Sequence, residues 1–122
     1  MNVDKTVMIV DDELFFREVF RDLLMKEGFT VVAEATNGIE AVEKYQKHFP
    51  KITIMDIYMP GKNGIDATRE IVSFDKNAKV LICSAIGYDD DINAAINVGA
   101  LDVIYKPIMP EEVIASINKV LV

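Results

Sequence analysis

Five short apolar segments, each followed by a stretch of helical spacing, alternate along the chain. The segments are rich in branched side chains, which is typical of strands that are buried on both faces. They run over Thr6 to Val10, Phe29 to Glu34, Ile52 to Met55, Val80 to Ser84 and Asp102 to Tyr105. Because strands that alternate with helices pair in parallel through right-handed crossovers, the predicted fold class is α/β, an open three-layer (α/β/α) sandwich.

The stretches between the segments carry the spacing and the end signals of amphipathic helices. The first has apolar residues at i, i+3, i+4, i+7 and i+8 from Phe16 to Leu24, and Gly28 supplies a stop. The other four are predicted from Asn37-Gly38 through Tyr45, from about Gly64 to Phe74, around Ile92 to Ile96 before Gly99, and from Pro110 to Leu121. The predicted order is therefore a strand and a helix repeated five times.

The composition supports one globular domain and argues against two classes of partner. A chain of 122 residues with 51% hydrophobic residues can bury one core but is too short for two, so we expect one domain over residues 1-122. Twenty acidic against 13 basic residues give a formal net charge of -7. A negative protein is repelled by the phosphates of a nucleic acid and of an anionic bilayer. We therefore expect no nucleic-acid partner and no membrane partner.

The single cysteine and the N-terminal residues indicate the cellular compartment in which the protein is expected. Cys83 cannot form an internal disulfide, and its apolar surroundings predict a reduced, buried thiol rather than a metal ligand. No apolar run exceeds four residues, and residues 1–5 lack the basic flank and hydrophobic stretch of a signal peptide. A cytoplasmic protein is the expectation.

Polar residues at the ends of four predicted strands form a candidate site. These are Asp11-Asp12-Glu13 after the first strand, Asp56 after the third, Ser84-Ala85 after the fourth and Lys106-Pro107 after the fifth. Because the carboxyl ends of parallel strands meet at one sheet edge, we expect these side chains to converge. Taken alone, Asp12 fits a helix N-cap equally well, and Lys106-Pro107 is typical of a turn.

The combination of three carboxylates indicates a divalent cation and phosphate chemistry. Clustered carboxylates repel each other, and Mg²⁺ relieves that repulsion while completing its coordination with water and phosphate oxygens. An aspartate beside Mg²⁺ can take a phosphoryl group, with a lysine neutralising the charge. Residues 11–15 contain no glycine-rich loop, which argues against nucleotide and flavin sites. A phosphatase with paired aspartates is disfavoured because position 13 is Glu13.

The same motifs, in this order, resemble the receiver domain of two-component response regulators, especially the single-domain, CheY-like chemotaxis type. The resemblance covers the whole chain and rests on the stretches Val7 to Asp12, Met55 to Gly61, Leu81 to Ala85 and Tyr105 to Pro107. It implies a flavodoxin-like fold with the strand order 2-1-3-4-5. It also implies a cytoplasmic signalling domain rather than an enzyme that turns over a substrate.

The resemblance assigns a role to each residue of the candidate site. Asp56 would accept a phosphoryl group from a sensor histidine kinase. The Mg²⁺ ligands would be Asp11, Asp12, Asp56 and the backbone carbonyl of Tyr58. Ser84 and Lys106 would contact the phosphoryl group, and Pro107 would set the backbone of the last loop, in the family usually after a cis peptide bond.

The implied output is a change in the face made by the fourth helix, fifth strand and fifth helix, which binds a downstream target. The family's aromatic residue on the fifth strand lies three residues before the lysine, where this chain has Val103. Tyr105 lies two residues further on and, on a strand, faces the same side. Our hypothesis is that Tyr105 is an exposed anchor for the partner; the alternative is that it covers the sheet edge.

Bulky residues near the acceptor predict a long phosphorylated lifetime. Tyr58 follows Asp56 by two residues and Ile86 follows Ser84 by two, so both flank the route of water to the acyl phosphate.

Two other roles stay open, a phosphorelay intermediate that passes the group to a second histidine protein and a receiver cut from a larger regulator. We expect a monomer, with dimerisation on phosphorylation left open.

Two other polar features have plainer interpretations. His48 is predicted to be a solvated helix end rather than a phosphohistidine. Asp89, Asp90 and Asp91 are predicted to cap the fourth helix rather than to hold a cation.

Overall fold

Five strands and five helices alternate through residues 5–121, which are the residues that the computed structural model describes. In chain order they are β1 (Thr6–Val10), α1 (Leu14–Lys26), β2 (Thr30–Ala35), α2 (Gly38–His48), β3 (Ile52–Asp56), α3 (Gly64–Phe74), β4 (Val80–Ala85), α4 (Asp89–Asn97), β5 (Asp102–Lys106) and α5 (Pro110–Leu121). The strands form one parallel sheet in the order β2-β1-β3-β4-β5. The predicted fold class and strand order are confirmed.

The helices cover the two faces of the sheet and bury two apolar layers. One layer lies under α1 and α5 and includes Phe20, Leu24, Val113 and Ile117. The other lies under α2, α3 and α4 and includes Ala41, Tyr45, Ala67, Ile71, Ile92 and Ala95. Burial of each large aliphatic side chain stabilises the fold by about 1.5–3 kcal/mol, so the two layers hold the strands, and the residues at their carboxyl ends, in place.

The prediction that all five strands are buried on both faces is wrong for β2 and β5. Every residue of β3 is buried, whereas β2 and β5 contain exposed and half-buried positions. The cause is their place in the sheet, since each edge strand has a neighbour on one side only. A short run of branched residues gives strand propensity but not the position of the strand in the sheet.

Strand β2 begins at Thr30 and not at the predicted Phe29. The amide of Phe29 donates to the carbonyl of Leu24 at 3.0 Å, while Gly28 takes a φ of +87°. That pattern closes the C-terminus of α1 and uses the amide that a strand would need. The first amide available for pairing is that of Thr30, which donates to the carbonyl of Lys5 at 2.7 Å.

The helices differ in how their N-termini are capped. Asn37 and Asn63 cap α2 and α3 with their side chains, whereas the residues before α1 and α4 make no side-chain cap. The alternative of Asp12 as a helix N-cap is therefore wrong, because that position belongs to Glu13. The acidic run 89–91 lies in the first turn of α4, favourable for the helix dipole but without the predicted capping bond.

The remaining plain interpretations agree with the structure. His48 is exposed in the last turn of α2. Cys83 is buried, and burial raises the pKa of its thiol to about 12. Across residues 5–121, no helix is both long enough and apolar enough to cross a membrane.

Candidate phosphoryl-acceptor site

Three strands deliver charged groups to one point at the carboxyl edge of the sheet. Asp11 directly follows β1, and Asp56 and Lys106 are the last residues of β3 and β5 rather than the first residues beyond them. The ammonium nitrogen of Lys106 lies 3.1 Å from Asp11 Oδ2 and 3.5 Å from Asp56 Oδ1. The predicted convergence of residues far apart in the chain is therefore present in the structure.

The electrostatics of the site are those of a buried, negatively charged pocket. Burial and the neighbouring charge of Asp11 raise the pKa of Asp56 from 3.8 to about 6, against the opposing effect of Lys106. Burial alone would lower the pKa of Lys106, but the attraction of Asp56 and Asp11 outweighs it and the net shift is upward. The lysine therefore stays charged and compensates part of the carboxylate repulsion.

The carboxylates have the chemistry and spacing of a cation site. Oxygen atoms of Asp11, Asp12 and Asp56 all lie within 4.8 Å of one another, with Asp11 and Asp56 buried and Asp12 exposed. Mg²⁺ prefers such hard oxygen ligands and keeps several positions for water and phosphate, which the exposed side of this cluster allows. The residues present therefore fit Mg²⁺, while the ion and the carbonyl of Tyr58 as a ligand stay predictions.

Backbone contacts fix the orientation of Asp11. Its amide donates to the carbonyl of Ala35 at 3.0 Å, and its Oδ1 accepts the amide hydrogen of Glu13 at 2.9 Å. Its carbonyl accepts from Arg17 Nη1 at 2.9 Å, and Arg17 also pairs with Glu34 at 3.1 Å. With Asp11 held on all sides, one of its carboxylate oxygens faces Lys106. The helical pattern of the sequence does not indicate this role of Arg17, because its contacts with Asp11 and Glu34 form only in the folded chain.

Ser84 and Pro107 lie at the same edge but do not touch the acidic cluster through hydrogen bonds. Within residues 5–121, the buried hydroxyl of Ser84 donates to the carbonyl of Ala85 at 3.2 Å. A contact from Ser84 to a phosphoryl group requires this hydroxyl to rotate, and its role stays a prediction. The peptide bond between Lys106 and Pro107 is cis, which agrees with the family resemblance.

Tyr58 connects the loop after β3 with the start of α4. Its side chain is 48% exposed, and its hydroxyl donates to the carboxylate of Asp91. Its ring meets the ring of Tyr88 edge to face, with centroids 5.2 Å apart. Sequence reasoning treated Asp91 only as a helix-end charge, because a contact across 33 residues leaves no periodic signal.

The residues expected on the output face lie on edge strand β5. Val103 is half-buried and packs against the layer under α2, α3 and α4. Tyr105 is 37% exposed and pairs in register with Ser84 on β4. Tyr105, the candidate partner anchor, is therefore the direct neighbour on β5 of Ser84, the residue predicted to contact the phosphoryl group.

Comparison with known proteins places the chain in a family. A sequence model of the response regulator receiver domain matches residues 7–118. The chemotaxis protein CheY of Thermotoga maritima is 50% identical over 95% of this chain and 97% of that protein, and CheY of Bacillus subtilis is 47% identical over 94% and 96%. A chain in the crystal structure of the CheX-CheY-BeF3-Mg²⁺ complex from Borrelia burgdorferi has a TM-score of 0.91 and 35% identity, over 96% of this chain and 89% of that one.

Fold, site and comparisons agree on the class of protein. The parallel sheet in the order β2-β1-β3-β4-β5, with an acidic cluster and a lysine at its carboxyl edge, agrees with the matched family and its relatives. The chain belongs to the response regulator receiver domain family, and its place is in two-component signalling.

Proposed function

We propose that this receiver accepts a phosphoryl group on Asp56 from a sensor histidine kinase. The observation that carries the proposal is the buried carboxylate of Asp56, held 3.5 Å from Lys106 Nζ and within 4.8 Å of the oxygens of Asp11 and Asp12. These are the groups that an in-line phosphoryl transfer to a carboxylate requires, a nucleophile and compensating charge at one point.

The chain's own residues supply most of the transfer. An oxygen of ionised Asp56 attacks phosphorus, the bond from phosphorus to the histidine nitrogen breaks, and that nitrogen keeps the electron pair. Lys106 neutralises charge on the phosphoryl oxygens, and Ser84 donates a hydrogen bond after its hydroxyl rotates. Asp11, Asp12 and Asp56 would hold Mg²⁺, which when bound neutralises further charge on the same oxygens. The domain modifies itself and turns over no separate substrate, so we do not class it as an enzyme.

The signal leaves through a protein surface, and we propose chemotaxis as the pathway. The chemotaxis names of the Thermotoga maritima and Bacillus subtilis relatives, which the chain matches over nearly their full length, support this pathway. The acyl phosphate carries roughly two negative charges in place of the single charge of ionised Asp56, a net gain of about one charge beside Lys106, the last residue of β5. Phosphorylation therefore acts on the strand that carries Val103 and Tyr105. A downstream target would bind the face formed by α4, β5 and α5.

Incubation with acetyl phosphate and Mg²⁺ tests the proposed acceptor chemistry. We expect the intact mass to rise by one phosphoryl group, and removal of Mg²⁺ with a chelator to prevent the rise. Reduction with borohydride converts the modified aspartate to homoserine, which peptide mass analysis should locate at position 56. Incorporation that ignores the chelator, or a homoserine at any other aspartate, would contradict the proposal.

Tyr58→Asn should shorten the lifetime of the phosphorylated protein. The Tyr58 ring is held beside the site by Asp91 and Tyr88, so a smaller side chain opens the route of water to the acyl phosphate. We expect decay to accelerate about fivefold, which corresponds to about 1 kcal/mol of barrier. The measurement follows the phosphorylated mass after acetyl phosphate is removed. Tyr58→Phe, which keeps the ring, is the matched control, and slower decay in Tyr58→Asn than in wild type would refute the prediction.

A further inference from the structure

The ammonium of Lys106 has an aromatic neighbour in addition to its two carboxylates. Its nitrogen lies 3.9 Å from the centroid of the Phe16 ring, well inside the range of about 6 Å over which a cation and an aromatic face attract each other. Asp11 and Asp56 lie 3.1 Å and 3.5 Å from the same nitrogen. Phe16 comes from α1, an element that contributes none of the family's functional residues in this chain.

Phe16 is itself held in place by its helix neighbours. The ring of Phe15 packs against it edge to face at a centroid distance of 5.3 Å. Arg17, the next residue, bonds to the carbonyl of Asp11 and to the carboxylate of Glu34, and so ties the first turn of α1 to the acidic loop and to β2. The position of the ring relative to Asp11 is therefore fixed by contacts on both sides of Phe16 in the sequence.

The helix pattern predicts Phe16 as part of the apolar stripe, but the structure gives it another environment. Phe20 and Leu24, further along the stripe, are almost fully buried, whereas Phe16 is only partly buried and contacts the lysine. A partly buried aromatic ring at this point excludes water from the ammonium without offering it a competing acceptor. The Lys106 side chain keeps 15% exposure although it carries a full charge.

We propose that Phe16 is a positioning residue for phosphoryl transfer, which holds the Lys106 ammonium against the acceptor carboxylate through the face of its ring. A lysine has a long flexible stem and a strongly hydrated head, so without a third contact the ammonium samples positions in water away from Asp56. The ring restricts these positions, and the ammonium still donates to carboxylate or phosphoryl oxygens. This inference rests on the proposed role of Asp56 as acceptor.

Phe16→Leu tests the inference because it keeps an apolar side chain and removes the ring face. We expect phosphorylation by acetyl phosphate and Mg²⁺ to slow about three- to tenfold, in line with the strength of a partly desolvated cation and aromatic pair. Phe16→Tyr, which keeps the ring, should restore the rate to within about twofold. Phe74→Leu, which makes the same change at an exposed ring at the end of α3, is the matched control and should leave the rate near that of wild type.

A spectroscopic measurement separates positioning from packing. Protons next to the Lys106 nitrogen lie over the ring in the wild type, so their NMR resonances should be shifted upfield and should return towards ordinary lysine values in Phe16→Leu. Replacement of Phe16 by ring-fluorinated phenylalanine keeps its shape but weakens the negative ring face, and the phosphorylation rate should fall as fluorine atoms are added.

Two results would overturn the inference. One is a phosphorylation rate in Phe16→Leu equal to that of the Phe74→Leu control. The other is a set of Lys106 resonances that Phe16→Leu leaves unchanged. If the wild type accepts no phosphoryl group at all, the proposed function fails instead, and the Lys106 resonances still decide whether the ring holds the ammonium.

Discussion

Asp56→Asn should accept no phosphoryl group and should nevertheless be more stable than the wild type in metal-free buffer at pH 7.5. The amide offers no ionised oxygen to attack phosphorus, so incorporation from acetyl phosphate and Mg²⁺ is lost. The gain in stability has a separate cause. Ionised Asp56 is 6% exposed and is close to the carboxylates of Asp11 and Asp12, so its charge costs free energy that a neutral amide of the same shape does not.

The pH dependence of this difference follows from the raised pKa of Asp56. Because the pKa rises from 3.8 in the unfolded chain to about 6 in the folded protein, the folded state binds the proton more tightly. The stabilisation from this proton is complete below pH 3.8 and is lost as the pH rises through about 6. A shift of this size corresponds to roughly 3 kcal/mol. We expect Asp56→Asn to recover about 2 kcal/mol, because Lys106 loses one of its two carboxylate partners.

Urea denaturation at pH 7.5 and pH 4.5, with a chelator and with Mg²⁺, measures the difference in the free energy of unfolding between wild type and Asp56→Asn. Without metal, the advantage of Asp56→Asn should be large at pH 7.5 and small at pH 4.5. Added Mg²⁺ should stabilise the wild type more than the variant, since binding to the folded state alone raises the free energy of unfolding. Asp22→Asn removes the same charge from an exposed position on α1 and should change stability little. Equal stabilities of wild type and Asp56→Asn at pH 7.5 would contradict the argument.

Much of the fold was predictable because its signals are local. Runs of branched residues predict β1, β3 and β4 to within a residue, and Gly64 and Phe74 bound α3 as predicted. The predicted element bounds are wrong where a contact with another part of the chain determines the hydrogen bonding of a residue. Phe29 has strand propensity, yet its amide closes α1 because the left-handed turn at Gly28 directs it back to Leu24.

The candidate site was predictable as a set of residues but not as a set of contacts. The convergence of Asp11, Asp56 and Lys106 follows from parallel topology, since all three lie at strand ends. The contact of Phe16 with Lys106 could not be predicted from the sequence. Helical periodicity indicates which face of the helix a residue occupies, but not which side chain from another element contacts it.

Asp91 shows the same limit for long-range pairs. Three consecutive carboxylates at a helix start have a sufficient local explanation in the helix dipole. Only the folded chain brings Asp91 to the hydroxyl of Tyr58 and so connects the loop after the acceptor with α4. Each sequence feature is interpreted only in isolation, and the contact between them is a property of the tertiary structure.

Gly64→Ala should be the most destabilising single-methyl change near the site. Gly64 begins α3 where that helix packs directly on the end of β3, and its amide donates to the carbonyl of Ile57 at 2.8 Å. A Cβ atom at this position would lie 2.0 Å from the carbonyl oxygen of Asp56 and 2.9 Å from its carbonyl carbon. These are backbone atoms of the proposed acceptor residue, so no side chain can rotate to make room.

The added methyl must therefore move α3 away from β3 or shift Asp56 itself. We expect a loss of about 3 kcal/mol or more, at the upper end of the range for overpacked sites, which the gain of up to about 1 kcal/mol in helix propensity cannot offset. Gly61→Ala is the matched control: Gly61 has a φ of +74° and no atom within 4 Å of the added Cβ. It should cost only the roughly 1–2 kcal/mol of a left-handed alanine.

Urea denaturation with a chelator compares the two variants, and acetyl phosphate with Mg²⁺ compares their acceptor activity. If backbone contact at Asp56 sets the geometry of the site, Gly64→Ala should lose phosphorylation as well as stability, whereas Gly61→Ala should keep most of its activity. A Gly64→Ala protein no less stable than Gly61→Ala would mean that α3 does not bear on the acceptor strand. In that case the position of Asp56 would depend on the sheet alone and not on the helix that follows it.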